Sequence, residues 1–88
     1  MYYVYVLHSK KDNGLYIGCT KDLKRRFVEH NEGKSLSTKS RAPFVLIYYE
    51  AFLLNSDARA REKYLKSGYG REQLKGILKN LFKKFDII

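Results

Sequence analysis

Asp12-Asn13-Gly14 separates two short runs rich in Tyr, Val, Ile and Leu, residues 2–8 and 15–19, and so dictates how the chain begins. Residues that tolerate positive φ between two β-prone runs predict a hairpin. With 88 residues there is room for one core only, so everything that follows must pack on that hairpin.

From Thr20 or Asp22 the pattern turns helical. Leu23, Arg26, Phe27 and His30 fall at offsets of three, four and seven, on one helix face, and Asn31-Glu32-Gly33 supplies the stop. Residues 34–43 read as a polar loop closed by the only proline. Phe44-Val45-Leu46-Ile47-Tyr48-Tyr49-Glu50-Ala51-Phe52-Leu53 is the strongest strand, and its continuous apolar character predicts a central strand covered on both faces. Asn55-Ser56-Asp57 is expected to cap a helix running to about Lys66, with Ser67-Gly68-Tyr69-Gly70 ending it. A last helix from about Arg71 carries Leu74, Ile77, Leu78, Leu81, Phe82 and Phe85 as an apolar stripe. The expectation is one α/β (α+β) domain over residues 1–88: a small three-stranded sheet with flanking helices, in the order ββαβαα.

Charge points to a partner. Eighteen Lys and Arg face nine Asp and Glu, a formal net charge of +9. Self-repulsion on so small a body is a cost that a polyanion offsets, and nucleic acid is the commonest one. Anionic membrane would favour one concentrated basic amphipathic helix, whereas the basic residues here divide evenly about residue 55. The lone Cys19 excludes an internal disulfide. Met1-Tyr2-Tyr3-Val4-Tyr5 lacks a basic leader and no run approaches membrane-spanning length, so the expected location is the cytoplasm.

Three features do not follow from packing. Arg26 shares the apolar face of its helix, where a guanidinium must meet an anion from the protein or a ligand, unless its stem snorkels to water. Glu62 lies four residues after Ala58 and three before Leu65, again on an apolar face. Its carboxylate calls either for a structural cation or for a divalent metal whose shell phosphate and water complete. Tyr16 shares a strand face with Gly18, which has no side chain to cover it. Cross-strand packing explains that as well as an accessible phenol over bare backbone does. Phenols, a guanidinium, an imidazole and a carboxylate on one basic fold make a coherent phosphodiesterase set.

At these residues the chain resembles the GIY-YIG nuclease family. Tyr3-Val4-Tyr5 stands as a variant of Gly-Ile-Tyr, and Tyr16-Ile17-Gly18 is intact eleven residues later. Leu23-Lys24-Arg25-Arg26-Phe27-Val28-Glu29-His30 fits the family's first helix, and Ala58-Arg59-Ala60-Arg61-Glu62-Lys63-Tyr64-Leu65-Lys66 its acidic helix. The likeness is greatest to small single-domain bacterial members, related to the nuclease half of the excision-repair incision subunit. It implies a metal-dependent endonuclease acting on DNA, in repair or recombination. By resemblance Tyr16 is the general base towards water, Arg26 stabilises charge on the phosphate, and Glu62 anchors Mg²⁺ or Mn²⁺. Tyr5 and His30 would orient water or contact phosphate.

Two positions depart from the pattern. Tyr3 replaces the first glycine, and Cys19 stands where the repair enzymes often carry lysine. Lys21, Lys39 or Arg41 could supply that phosphate contact; the loop Ser37-Thr38-Lys39-Ser40-Arg41, with hydroxyls and two cations, has a suitable composition. Cys19 itself reads as a small packed residue. A non-catalytic DNA- or RNA-binding module that keeps the fold without turnover is the alternative, and a protein partner could supply targeting.

Overall fold

A computed structural model describes residues 1–87 of the chain. Strand β1 (Tyr2–Ser9) turns into β2 (Leu15–Thr20), and the two pair antiparallel with Tyr5 opposite Gly18 and Leu7 opposite Tyr16. The turn takes its positive φ at Asn13 (62°), and the Asp12 carboxylate accepts the Gly14 N–H at 2.8 Å. Strand β3 (Phe44–Phe52) pairs antiparallel with the other side of β1, giving the order β2-β1-β3.

The central strand is therefore β1, and the expectation that residues 44–53 fill that place is corrected. Val4, Tyr5, Val6 and Leu7 are each at most 1% exposed, whereas Tyr49 of β3 is 52% exposed. Alternating Tyr and Val in β1 looks like one wet and one dry face, yet both faces are covered. A tyrosine is buried readily once its hydroxyl has a partner.

Helix α1 (Leu23–Asn31) covers one face of the sheet, where Tyr5, Leu7 and Phe44 form a small core with Leu23, Phe27 and Leu46 packed on it. The Asp22 carboxylate caps α1 through the Arg25 N–H at 3.1 Å, and Gly33 at φ +74° ends the segment. The other face carries α2 (Asn55–Leu65), α3 (Gly68–Ile77) and α4 (Lys79–Lys84), packed on Val4, Val6 and Ile17 through Ala58, Leu65, Leu74 and Phe82. Full burial of Leu65 and Leu74 contributes about 2 kcal/mol each.

Three helix boundaries differ from the sequence reading. Leu54, not the Asn55-Ser56-Asp57 run, is the N-cap of α2, and it makes no side-chain capping bond; Asp57 instead sits in the first turn, favourable to the helix dipole. Ser67 starts α3 rather than merely ending α2, its hydroxyl accepting the Gly70 N–H at 3.2 Å. Gly70 is needed there because a β-carbon would run into the Tyr64 carbonyl and the Leu65 backbone. The last helix breaks at Leu78 (φ −110°, ψ 31°), which gives a third helix after β3. That bend lets Phe82 and Ile87 join Leu74 in one core, and it leaves Ile77 and Phe85 nearly half exposed, outside that core.

A polar lock joins β3 to the helical layer. Arg61 of α2 meets Glu50 through two bonds of 2.8 and 2.9 Å and donates to Gln73 of α3 at 2.8 Å. The Tyr48 hydroxyl donates to the same carboxylate. Arg61 beside it holds the Glu50 carboxyl below the usual range, assisted by Tyr48 and opposed by burial.

Candidate active site

Gly18 makes room for Tyr5. With no side chain at position 18, the hydroxyl end of the Tyr5 ring occupies that space; a β-carbon there would come within 2.5 Å of the ring's Cζ. The Tyr5 hydroxyl is thereby held against α1, 2.8 Å from Nε2 of His30. His30 is fully buried, and its Nδ1 lies 2.7 Å from Thr38 Oγ1 in the loop that follows α1. Burial, with the Arg26 charge adding to it, holds the imidazole below its ordinary pKa, so it is neutral at physiological pH. A neutral ring carries a single N–H. One of its two contacts, to Tyr5 or to Thr38, is therefore donated by the ring and the other accepted by it, the tautomer deciding which.

Burial pushes the Tyr5 phenol up to about 12, against the opposing pull of Arg26. Tyr5 stays protonated and sealed in. The Tyr16 ring stands beside it, 6.3 Å from the Tyr5 ring and 5.0 Å from the His30 ring between centroids, and is only half-buried. Arg26 bears on both phenols. Its own anion is Glu29, at 3.2 Å, and Nη2 also reaches Ser35 Oγ at 3.4 Å. With a third of its side chain exposed (34%), the guanidinium still opens to solvent. Tyr5, Tyr16, Arg26 and His30 thus form one cluster on the α1 side of the sheet.

Glu62 belongs to the opposite layer, on α2, which packs against β1 and β2. Its charge nevertheless acts on the Tyr5 hydroxyl and the Cys19 thiol. The side chain is 15% exposed, and its oxygens accept from Arg59 at 3.3 Å and from Lys66 at 2.9 Å. An open hollow of about 330 Å³ at the β2 edge brings the two layers together, lined by Tyr16 and Ile17 on one side and by Leu65, Lys66 and Ser67 on the other. Among the described residues no group of three or more His, Cys, Asp or Glu is placed to hold a metal. Glu62 remains the carboxylate suited to a hard cation that keeps its waters.

The basic residues named as phosphate contacts part company. Arg41 is committed elsewhere: its Nε bonds Asp12 at 2.6 Å, its Nη2 reaches Leu15 O at 3.3 Å, and its guanidinium lies over the Phe44 ring. That pairing, together with the Gly14 N–H, pulls the Asp12 carboxyl far below its ordinary range. Arg41 therefore ties the loop to the hairpin turn, and its guanidinium is engaged within the protein rather than held open to solvent. Thr38, read as part of the same contact loop, points inward to His30. Lys39 is exposed, without an ion pair among the described residues. Lys21 lies over the Tyr2 ring, at 5.4 Å, and lines a different and larger hollow with Tyr3, Lys24, Phe27 and Tyr49. Cys19 packs on the α2 side, where burial pushes its thiol up, away from nucleophilic character.

Sequence reasoning missed Ser35 and Lys66, and placed Thr38 in the contact loop without its bond to His30. Nothing in the loop's spacing marks Thr38 or Ser35 as partners of α1. Lys66, four residues after Glu62, was legible as an i,i+4 pair.

Three comparisons bear on this arrangement. The family profile described as the GIY-YIG catalytic domain matches residues 1–75. A UPF0213 protein of Staphylococcus haemolyticus is 42% identical over 77 residues, which is 86% of this chain and 93% of that one. A UPF0213 protein of Haloquadratum walsbyi is 41% identical over 73 residues, covering 82% and 80%. The solution NMR structure of a UPF0213 protein from Bacillus halodurans superposes with a TM-score of 0.55 at 37% identity, covering 88% of this chain and 85% of that one.

Proposed function

Because the chain belongs to the GIY-YIG family of catalytic domains, we propose that it is a divalent-metal-dependent endonuclease that hydrolyses phosphodiester bonds of DNA, with residues 1–88 working as one domain. The observation that carries this reading is an asymmetry between two phenols. Arg26 acts on both Tyr5 and Tyr16, but Tyr5 is sealed and bound to His30, whereas Tyr16 is half-buried and lines an open edge hollow that Lys66 shares. Tyr16 is the phenol free to meet water.

In the reaction, Tyr16 Oη, having first given its own proton to solvent, takes a proton from water as the water oxygen bonds to phosphorus. The phosphorus–oxygen bond to the leaving strand breaks, and the released oxygen is protonated from solvent. A free phenol is a weak base at neutral pH; the Arg26 charge favours negative charge in this cluster, on phenol oxygen or phosphate alike. Tyr5 and His30 act as positioning residues: they are buried, so they hold Arg26 and Tyr16 rather than touch phosphate.

Glu62 would hold Mg²⁺ or Mn²⁺, since it offers a hard, nearly buried oxygen pair whose present partners are exposed side chains. Such an ion, when bound, supplies Lewis-acid stabilisation of the charge at phosphorus. The excess of positive charge suits a backbone-contacting protein, with Lys21 and Lys39 as peripheral phosphate contacts. No helix among the described residues is long and apolar enough to cross a membrane, and a cytoplasmic role in repair or recombination fits an enzyme of this chemistry.

The test is nicking of supercoiled plasmid in Mg²⁺ or Mn²⁺. Wild type is expected to nick, and Tyr16→Phe and Glu62→Gln are expected to lose nicking while keeping the fold. Retained nicking in Tyr16→Phe overturns the base assignment. Salt-sensitive DNA binding without any nicking would instead select the non-catalytic binding module.

A further inference from the structure

The Glu62 carboxylate is gripped at both oxygens, by Arg59 of its own helix and by Lys66 at that helix's C-terminal cap, and we infer that Lys66 and Arg59 are substrate-phosphate ligands that occupy the metal's place on Glu62 until metal and substrate bind. This inference rests on the nuclease reading above.

The geometry is one-sided. Glu62 is 15% exposed, but Lys66 is 52% and Arg59 62% exposed, so two long stems reach inward from solvent to a carboxylate set below them. Lys66 lines the same hollow as Tyr16. Arg59 acts on Cys19, the residue next to Gly18 in β2. Lys66 therefore borders the route by which a phosphate would approach Tyr16, while Arg59 holds the other oxygen of the same carboxylate.

A pair whose cation is this exposed is worth little, equivalent to about a two- to five-fold change in an equilibrium. A divalent ion on Glu62 places like charge within a few ångströms of Lys66 and Arg59, and the pairing is lost. A phosphate arriving with the ion offers the displaced cations a new anion, at hydrogen-bonding range and on flexible stems that need no backbone movement. The stand-in cations keep a nearly buried carboxylate satisfied in the resting protein, which otherwise has an uncompensated charge.

The consequence is a pair of opposite shifts. Without DNA, Lys66 competes with the metal; with DNA, it binds the same substrate the metal binds. In Lys66→Ala, Mn²⁺ alone, followed by electron paramagnetic resonance, is expected to bind about two- to five-fold more tightly than to wild type. A labelled DNA oligonucleotide in Ca²⁺ is expected to bind more weakly, with the slope of log K against log salt reduced by about 1. Lys66→Arg is expected to restore both. Lys63→Ala, an exposed lysine of the same helix, controls for loss of charge alone.

If wild type nicks and binds Mn²⁺ through Glu62, yet Lys66→Ala behaves as Lys63→Ala does, this inference is overturned and the nuclease reading stands. If wild type binds Mn²⁺ no better than Glu62→Gln, both fall together.

Discussion

Tyr5 and Gly18 face each other across β1 and β2, and the tyrosine ring fills the space that any side chain at position 18 would need. This contact aims the Tyr5 hydroxyl at His30. In Gly18→Ala the new methyl group must push the ring away, breaking the 2.8 Å bond to Nε2. We expect a destabilisation of about 1–3 kcal/mol, as for other overpacked cores. Thermal denaturation should show it as a fall of several degrees per kcal/mol, accompanied by loss of nicking. An unchanged melting temperature would mean that the sheet yields at this point.

His30 makes stability depend on pH. Its folded pKa lies below its unfolded one because of burial, so between the two values the unfolded chain binds the extra proton. Stability is therefore full above the unfolded value of about 6.5 and declines as pH falls towards the folded value. Urea unfolding between pH 5 and 8 should show this slope, at most about 1.4 kcal/mol per pH unit from one such group. His30→Gln should be less stable at neutral pH and flatter across that window. A slope of equal size in the variant would assign it to another group.

Arg41 and Lys39 lie two residues apart and are predicted to behave differently. Arg41 spends its guanidinium on Asp12, while Lys39 is exposed. Lys39→Ala should lower the salt slope of DNA binding by about 1. Arg41→Ala should leave that slope unaltered and instead loosen the hairpin turn, detectable as faster amide exchange at Asn13 and Gly14. A reduced salt slope in Arg41→Ala would restore it as a phosphate contact.

The Glu50–Arg61 pair is three-quarters or more covered on both sides and joined by two short bonds. Glu50→Gln weakens two charge-assisted bonds and is expected to cost about 2 kcal/mol in urea unfolding. Nicking should persist below the melting temperature, because this lock sits on the β3 side of α2, apart from Tyr16. The Arg61 partner keeps the Glu50 carboxyl below its ordinary range, so this stability is present above a pH of about 4.5 and lost as pH falls through the lower folded value.

Local signals in the sequence carried most of the fold. The hairpin, the start and stop of α1 and the α2 segment all follow from turn chemistry and helical period, and the family resemblance agrees with the match over residues 1–75. What local pattern could not supply was strand order. Phe44–Phe52 is more continuously apolar than β1, but three strands need one in the middle, and only the tyrosine partners His30 and Arg26, far along the chain, make β1 buriable. The same limit applied to the site. Tyr16 and Arg26 stand out as residues packing does not require, whereas Thr38 looks like any loop threonine until His30 is seen to need a partner at Nδ1. The internal pairing of Arg41 was equally hidden, because a loop arginine has the composition of a phosphate contact and its partner Asp12 lies 29 positions away.

Strand β1 shows alternate residues to two different environments: Val4 and Val6 to the three-helix layer, Tyr5 and Leu7 to the α1 layer. A slip of one residue would exchange these sets, driving phenols into an oily layer and presenting valines to Arg26 and His30. Insertions in the polar loop can be absorbed at modest entropic cost, but a single deletion within β1 would remove stability and chemistry in the same stroke.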